Sequence, residues 1–405
     1  MLAAAPSYGA PGWGAGGCGL PSSSQDAAER FFDETERELL QAAIESQRSD
    51  WVYSTFITHD TEELSSAALA RLIGATVRRA QEASSRFPSG SLTGVLARKA
   101  ELLPLSLQLL APSDPTLAQE LTRLIASMQA AYAKGRHTPT GQSEALDLQG
   151  LSRILTESRD PRLLEDVWTG WHSVGRSMRP EFQRYVELAN VGARELGFAD
   201  TGAMWRSKYD MSPAAFAEEV DRLWSSVRPL YDALLTYVRG KLRQVYGEEV
   251  VPAEGPLPAH LLGNMWAQAW DGLYPILAPR SGAPTFDLTK LLVDRKTSPE
   301  EMVRYAERFF VSLGLEPLPA TFWERSMLVR PRDREVVCHA SAWDVDFVTD
   351  LRIKMCIEIT GEDFRTIHHE LGHNYYQRAY GGQPYLFRDS AHDGFHQAVG
   401  DTISL

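Results

Sequence analysis

The chain has 405 residues, 43% of them hydrophobic and 23% charged, enough to bury a large core and, by length alone, to form two or three domains. A net charge of -12, with no basic run interleaved with aromatics, argues against nucleic acid or an anionic membrane as partner and predicts a soluble protein.

In chain order, the first stretch, "MLAAAPSYGAPGWGAGGCGLPSSS", has no basic start and is broken by Gly and Pro, so it matches neither a signal peptide nor a transmembrane segment. Residues 1–24 read as a disordered leader. Cys18 within "AGGCG" has the small-residue surroundings of a lipoprotein cleavage site, but the apolar stretch before it is short and broken. From "SSQDAAERFF" onward, apolar residues recur at three and four, the rhythm of amphipathic helices, and the pattern returns in five later blocks up to "QVYG" near 247. Breaks rich in Pro or Gly at 104–115, 250–258 and 277–285 separate helical blocks without a linker long enough to divide domains. No internal repeat is evident. Strand-like sequence is confined to about 334–356, where two short β-prone runs pair as a hairpin-like unit. Cys338 and Cys356 bracket it and read either as a disulfide or as two reduced core cysteines. Asn190, Asn264 and Asn374 all lack a Ser or Thr two places on, which argues against an N-glycosylated ectodomain. The expected fold is mainly α with a small β-sheet near 334–356.

The helix predicted over "TGEDFRTIHHELGHNYYQRAY" has Thr360 as N-cap and acids in its first turn. It carries His-Glu-x-x-His. Residues four apart stand one above the other on a helix, so His369 and His373 can offer imidazoles to a single ion, while Glu370, about 100° round the axis, flanks the open coordination position. Zinc suits this set, with Glu370 as general base towards a peptide carbonyl. The alternative is a chance match on a core helix.

A third protein ligand commonly comes from a downstream glutamate, and no glutamate follows Glu370. A metzincin arrangement needs Gly and His where this chain has Tyr376 and Ala379. A second helix, expected to start near Asp393 in "FRDSAHDGFHQAVGDTISL", would share one face among Asp393, Gln397 and Asp401. Gln397 is the neutral candidate, giving weaker zinc binding and a stronger Lewis acid. Asp393 is the other candidate, and a partly buried structural amide is the plain alternative for Gln397.

Several separated stretches, "TGAMWRSKYDMSP", "GPLPAHLLGNMWAQAW", "FFVSLGLEPLPATFWERSML", "EVVCHASAWD", "LRIKMCIEIT", "HHELGHNYYQRAY" and "GFHQAVGD", together resemble the angiotensin-converting-enzyme family of zinc peptidyl-dipeptidases. The resemblance runs from about residue 25 to the end. It implies a helical ellipsoid split by a deep central cleft, a peptide substrate losing C-terminal dipeptides, and zinc as cofactor. It assigns His369, His373 and Gln397 to the metal, Glu370 to general-base catalysis, and Asp401 to orienting a zinc histidine. His339, with the backbone of Ala340 and Ala342, would hold substrate along a strand edge, Gln268 would help hold the substrate's terminal carboxylate, and Cys338 with Cys356 match the family's disulfide spacing. Read without the resemblance, Gln268 is a helix residue packed among tryptophans and His339 a satisfied core histidine.

The departures shape the expected activity. The family's third zinc ligand is a glutamate in "GFHEA", where Gln397 stands here. Of two family chloride sites, the first has His172 in its arginine position and the second keeps Tyr209. The family's domain continues past Leu405, so residues 25–405 correspond to its N-terminal portion. The remainder supplies groups that hold the substrate carboxylate and the oxyanion, and helices whose absence would leave apolar surface facing water. Three readings follow: a peptidyl-dipeptidase impaired by Gln397 and by the missing portion, a catalytically dead peptide-binding module, or a fragment without function of its own. The resemblance points to an extracytoplasmic or secreted location, while the sequence leaves oligomeric state open.

Overall fold

The computed structural model describes residues 22–106, 109–278 and 286–404. Among them are helices α1 (Ser22–Thr55), α2 (His59–Arg86), α3 (Gly94–Leu102), α4 (Pro115–Lys134), α5 (Leu148–Glu157), α6 (Pro161–Glu195), α7 (Thr201–Ser207) and α8 (Pro213–Tyr246). There follow α9 (Tyr274–Leu277), α10 (Leu288–Asp294), α11 (Pro299–Ser312), α12 (Ala320–Arg325), strands β1 (Ser341–Asp344) and β2 (Leu351–Lys354), α13 (Gly361–Tyr380) and α14 (Asp393–Ser404). The mainly α class with a small sheet is the observed one. Of the expected leader, residues 1–21 with Cys18 lie outside the described residues, and Ser22–Ser24 already belong to α1. No helix among the described residues is long and apolar enough to cross a membrane.

Local chemistry sets the helix starts. Asp114, Asp160, Ser212 and Ser298 each accept a first-turn backbone N–H with proline at the next position, a side-chain cap joined to a residue whose fixed φ suits the first turn. Thr360 accepts the N–H of Asp363 as the sequence predicts for α13.

Helix α1 packs on α2, α2 on α4 and α4 on α6, while α13 packs on α11, α14 and the sheet. The apolar cluster nearest the motif joins Phe310 of α11, Phe322 of α12, Ile353 of β2, and Ile367, Leu371 and Tyr375 of α13. Burying that face of α13 fixes the helix rotation and leaves its histidine face for α14.

Strands β1 and β2 pair antiparallel, with Ala342 opposite Ile353 and Ser341 opposite Lys354. Between them Asp346 accepts the N–H groups of Val348, Thr349 and Asp350, and Phe347 adopts φ 59°. Among the described residues the sheet has two strands, so the second edge of β1 has no neighbouring strand there. Cys338 and Cys356 form a disulfide, which excludes the reduced-cysteine reading.

Helix α8 carries Val220, Leu223, Val227, Leu230, Leu234 and Tyr237, all exposed and spaced alternately by three and four. That spacing is a continuous apolar stripe.

Glycine has opposite roles at two places in α6. A Cβ on Gly192 would stand 2.2 Å from the Leu110 carbonyl oxygen, whereas one on Gly175 meets nothing within 4 Å. Gly192→Ala is expected to lower the urea midpoint by the equivalent of ~1–3 kcal/mol, while Gly175→Ala should gain about 0.5–1 kcal/mol from helix propensity. Equal effects at the two positions would contradict this packing.

Candidate metal centre

On α13 the two motif histidines converge. Their ring centroids are 4.7 Å apart at 85°, and Nε2 of His369 lies 3.0 Å from Nε2 of His373. Two nitrogens each about 2.05 Å from one zinc ion and separated by this distance subtend about 95°, a little below tetrahedral, so the pair fits that ion.

The far side of each ring is held. His369 Nδ1 lies 3.0 Å from Asp401 Oδ1, so Nδ1–H donates to the carboxylate and the Nε2 lone pair points inward. His373 Nδ1 lies 3.2 Å from His396 Nδ1, and His396 Nε2 lies 2.9 Å from the Tyr380 hydroxyl. Metal binding through His373 Nε2 would select one direction for this relay, with His373 Nδ1–H donating to His396 and His396 Nε2–H donating to Tyr380. Burial, and then the nearby His369 and His396, push His373 down to about 4, which keeps it neutral at physiological pH. The adjacent His368 Nδ1 instead contacts the Phe364 carbonyl oxygen and its ring packs on Phe364, so it belongs to the helix.

Two glycines make the crossing of α13 and α14 this close. A Cβ on Gly400 would stand 2.7–2.9 Å from His369 ring atoms, and one on Gly372 would stand 3.1 Å from Gly400 Cα. Gly372, Gly400, His396 and Tyr380 are the site residues that the sequence reading missed; the signal available was two glycines inside helices otherwise free of them at that face.

Glu370 is buried, 7% exposed. Burial pushes its carboxyl up to about 7, opposed by the Lys354 charge and by a backbone hydrogen bond with Ala342. The carboxylate therefore sits on the unpaired edge of β1. His339 and Ala340 lead into that strand, and Ala340 and Ala342 are partly buried there.

His339 itself is exposed, with its imidazole below the usual value through desolvation and the Lys354 charge; this overturns the satisfied-core alternative. Trp266 meets the His339 ring edge to face at 6.2 Å and brings the 264–270 loop beside it. Gln268 is exposed in that loop, its N–H donating to Asn264 Oδ1. The helix alternative fails because Asn264 folds the loop back on itself.

Gln397 is exposed on α14, one turn before Asp401, and has no hydrogen bond to protein among the described residues. The Asp393 side chain lies outside the described residues. Tyr209 stacks on His392 at 5.6 Å and meets Phe216 at 4.4 Å with the rings tilted, beside Gly394 at the start of α14. His172 stacks on Trp168, with Nδ1 2.8 Å from the Trp168 carbonyl oxygen. A cavity of about 1030 Å³ adjoins the centre, bounded by Ala342, Asp344, Tyr380 and His396 on one side and by Asp50, Ser65 and Thr122 on the other.

Gly400→Ala is expected to displace the His369 ring from Asp401 and to weaken zinc binding about 10–100-fold, read by competition with a chelator while helix content stays constant. Asp344 offers a separate test. Burial, followed by the Asp346 charge, raises it to about 7, and its Oδ1 has no partner among the described residues. A raised carboxyl contributes stability that is full below about pH 4 and lost as pH rises through about 7. Asp344→Asn should therefore flatten the fall in unfolding free energy over that window, by up to about 4 kcal/mol at ~1.4 kcal/mol per unit. An unchanged slope would refute it.

Comparison with known proteins identifies a family. The peptidase M2 family model, angiotensin-converting enzyme, matches residues 22–405. The angiotensin-converting enzyme of Bos taurus is 36% identical over 390 residues, covering 95% of this chain and 29% of the bovine protein. That of Oryctolagus cuniculus is 38% identical over 377 residues, covering 90% of this chain and 28% of the rabbit protein. That of Haematobia irritans exigua is 34% identical over 406 residues, covering 96% of this chain and 64% of the fly protein. The chain thus spans between about a quarter and two thirds of these relatives' lengths. By its motif helix, its mainly α fold and this match across nearly all its described residues, the chain belongs to the angiotensin-converting enzyme family.

Proposed function

We propose that the chain carries the metal-binding half of a zinc peptidyl-dipeptidase, a metallopeptidase that releases C-terminal dipeptides. The observation that carries the reading is the convergence of the His369 and His373 Nε2 atoms, with buried Glu370 beside them on the unpaired edge of β1. His369 and His373 would hold zinc with Gln397 as neutral third ligand, one helical turn from Asp401. Zinc, when bound, supplies Lewis acidity to the scissile carbonyl and to the attacking water.

The protein's own groups do the rest. Glu370 takes a proton at its carboxylate and returns it to the leaving amine. Asp401 and the His396–Tyr380 pair hold the imidazoles in the tautomers that binding needs. A peptide running antiparallel along β1 puts its C-terminal end towards His339 and the Gln268 loop, with Ala340 and Ala342 offering backbone groups. Its N-terminal residues then enter the cavity beyond Asp344. Tyr209 is proposed for the remaining chloride site, although its hydroxyl faces the start of α14 and not the histidine pair. The Cys338–Cys356 disulfide supports an extracytoplasmic location.

A second reading, a peptide-binding module with little turnover, is favoured by the neutral side chain at Gln397 and by Asp401, whose side chain is 71% exposed. Both weaken the hold on the metal. Zinc content and C-terminal dipeptide release, measured on the chain and on Gln397→Glu, separate the two. The expected result is at least tenfold tighter zinc binding by the variant, with more dipeptide release. Tight zinc and rapid cleavage by the unaltered chain would refute impairment by Gln397; zinc binding by neither protein would refute the metal centre.

A further inference from the structure

Lys354 ends β2 and is 2% exposed. A buried ammonium persists only where donors and charge are matched. Its Nζ donates to the carbonyl oxygens of Val337 and His339, each at 2.7 Å. Asp50 of α1 and Glu370 of α13 supply the opposing charge. The segment it grips is tied at two more points: the Val337 N–H donates to the Ser54 carbonyl oxygen at the end of α1, and Cys338 is bonded to Cys356 two residues beyond Lys354. One cation therefore grips the strap that leads into β1 and acts by its charge on Asp50 of α1 and on the carboxylate that lies against Ala342.

We propose that Lys354 is a positioning residue: by holding the Val337 and His339 carbonyls it aims the 339–342 edge at substrate, and by its charge it keeps the Glu370 carboxylate against that edge. The proposal rests on the peptidase reading for its substrate but not for the strap itself. A purely structural lysine would stabilise the whole chain. A positioning lysine acts on this segment and on peptide binding.

The full chain is compared with Lys354→Met, Lys354→Gln and Lys354→Arg. Hydrogen exchange is followed in 337–342 and in α2, and binding of a blocked tripeptide with a free C-terminal carboxylate is measured by calorimetry. In the two neutral variants, exchange in 337–342 is expected to rise at least tenfold with α2 unchanged, and peptide Kd at least tenfold. Arginine is expected to restore both to within about threefold of the unaltered chain. Where turnover is measurable, the loss falls on kcat as well as KM, because Glu370 moves with the strand.

Unchanged strand exchange and unchanged Kd in Lys354→Met overturn the proposal while leaving the peptidase reading intact. A chain that folds with arginine but with neither neutral residue also overturns it, since Lys354 is then a general stabilising cation. If the unaltered chain binds no peptide, the peptidase reading fails and the substrate role with it; faster 337–342 exchange in the neutral variants would still show the strap being held.

Discussion

The contact on which the candidate site depends is the crossing of α13 and α14 at Gly372 and Gly400. With only hydrogen on each facing Cα, the second helix comes close enough for Asp401 to reach His369 Nδ1 at 3.0 Å. Every later step needs that approach. The carboxylate selects the imidazole tautomer, the tautomer directs the Nε2 lone pair inward, and the turn between Asp401 and Gln397 sets where a third ligand can come from. A glycine in a helix costs about 1 kcal/mol in propensity, so this geometry is maintained against the local preference of both helices.

The opposite face of α13 supplies the rigidity. Ile367, Leu371 and Tyr375 are packed into the cluster with Phe310, Phe322 and Ile353, and the Phe310 and Tyr375 rings stack at 4.2 Å. A helix fixed on its apolar side presents its polar side without rotational slack. Glu370, at the border of the two faces, is consequently buried against β1 and cannot relax into solvent. The cost of burying it is offset by Lys354 and by the Ala342 backbone.

What the sequence made legible follows from which signals are local. His369, Glu370 and His373 were found because residues four apart on a helix must share a face, and Thr360 was found because capping chemistry is confined to three residues. The 334–356 region was located by β propensity, but its strands are only four residues each. The strap before them bonds to the Lys354 side chain and to α1 in place of a neighbouring strand. Lys354 was passed over because lysine in a short strand ordinarily marks the solvent side, and Gly400 because a helical glycine reads as a weakness. Both take their meaning from elements distant in sequence. The packed-helix alternative for Gln268 failed for a different reason: it rested on the tryptophans around it, whereas Asn264 closes a loop that leaves it exposed.

Charge around the centre bears on how a neutral third ligand is tolerated. With zinc bound, two positive charges would face Glu370 and Asp401, while the Lys354 cation is matched by Asp50 across the cavity wall. The set is then neutral without a carboxylate at position 397. A glutamate there would leave one negative charge in excess, which favours holding the metal more tightly and makes it a poorer Lewis acid. As the proposed third ligand, Gln397 would shift that balance the other way, towards a loosely held and more electrophilic ion. The burden of retaining a metal would then pass to the histidine pair. That is where the structure concentrates its constraints: the Asp401 carboxylate on one ring, the His396–Tyr380 pair on the other, and two glycines that let the helices meet.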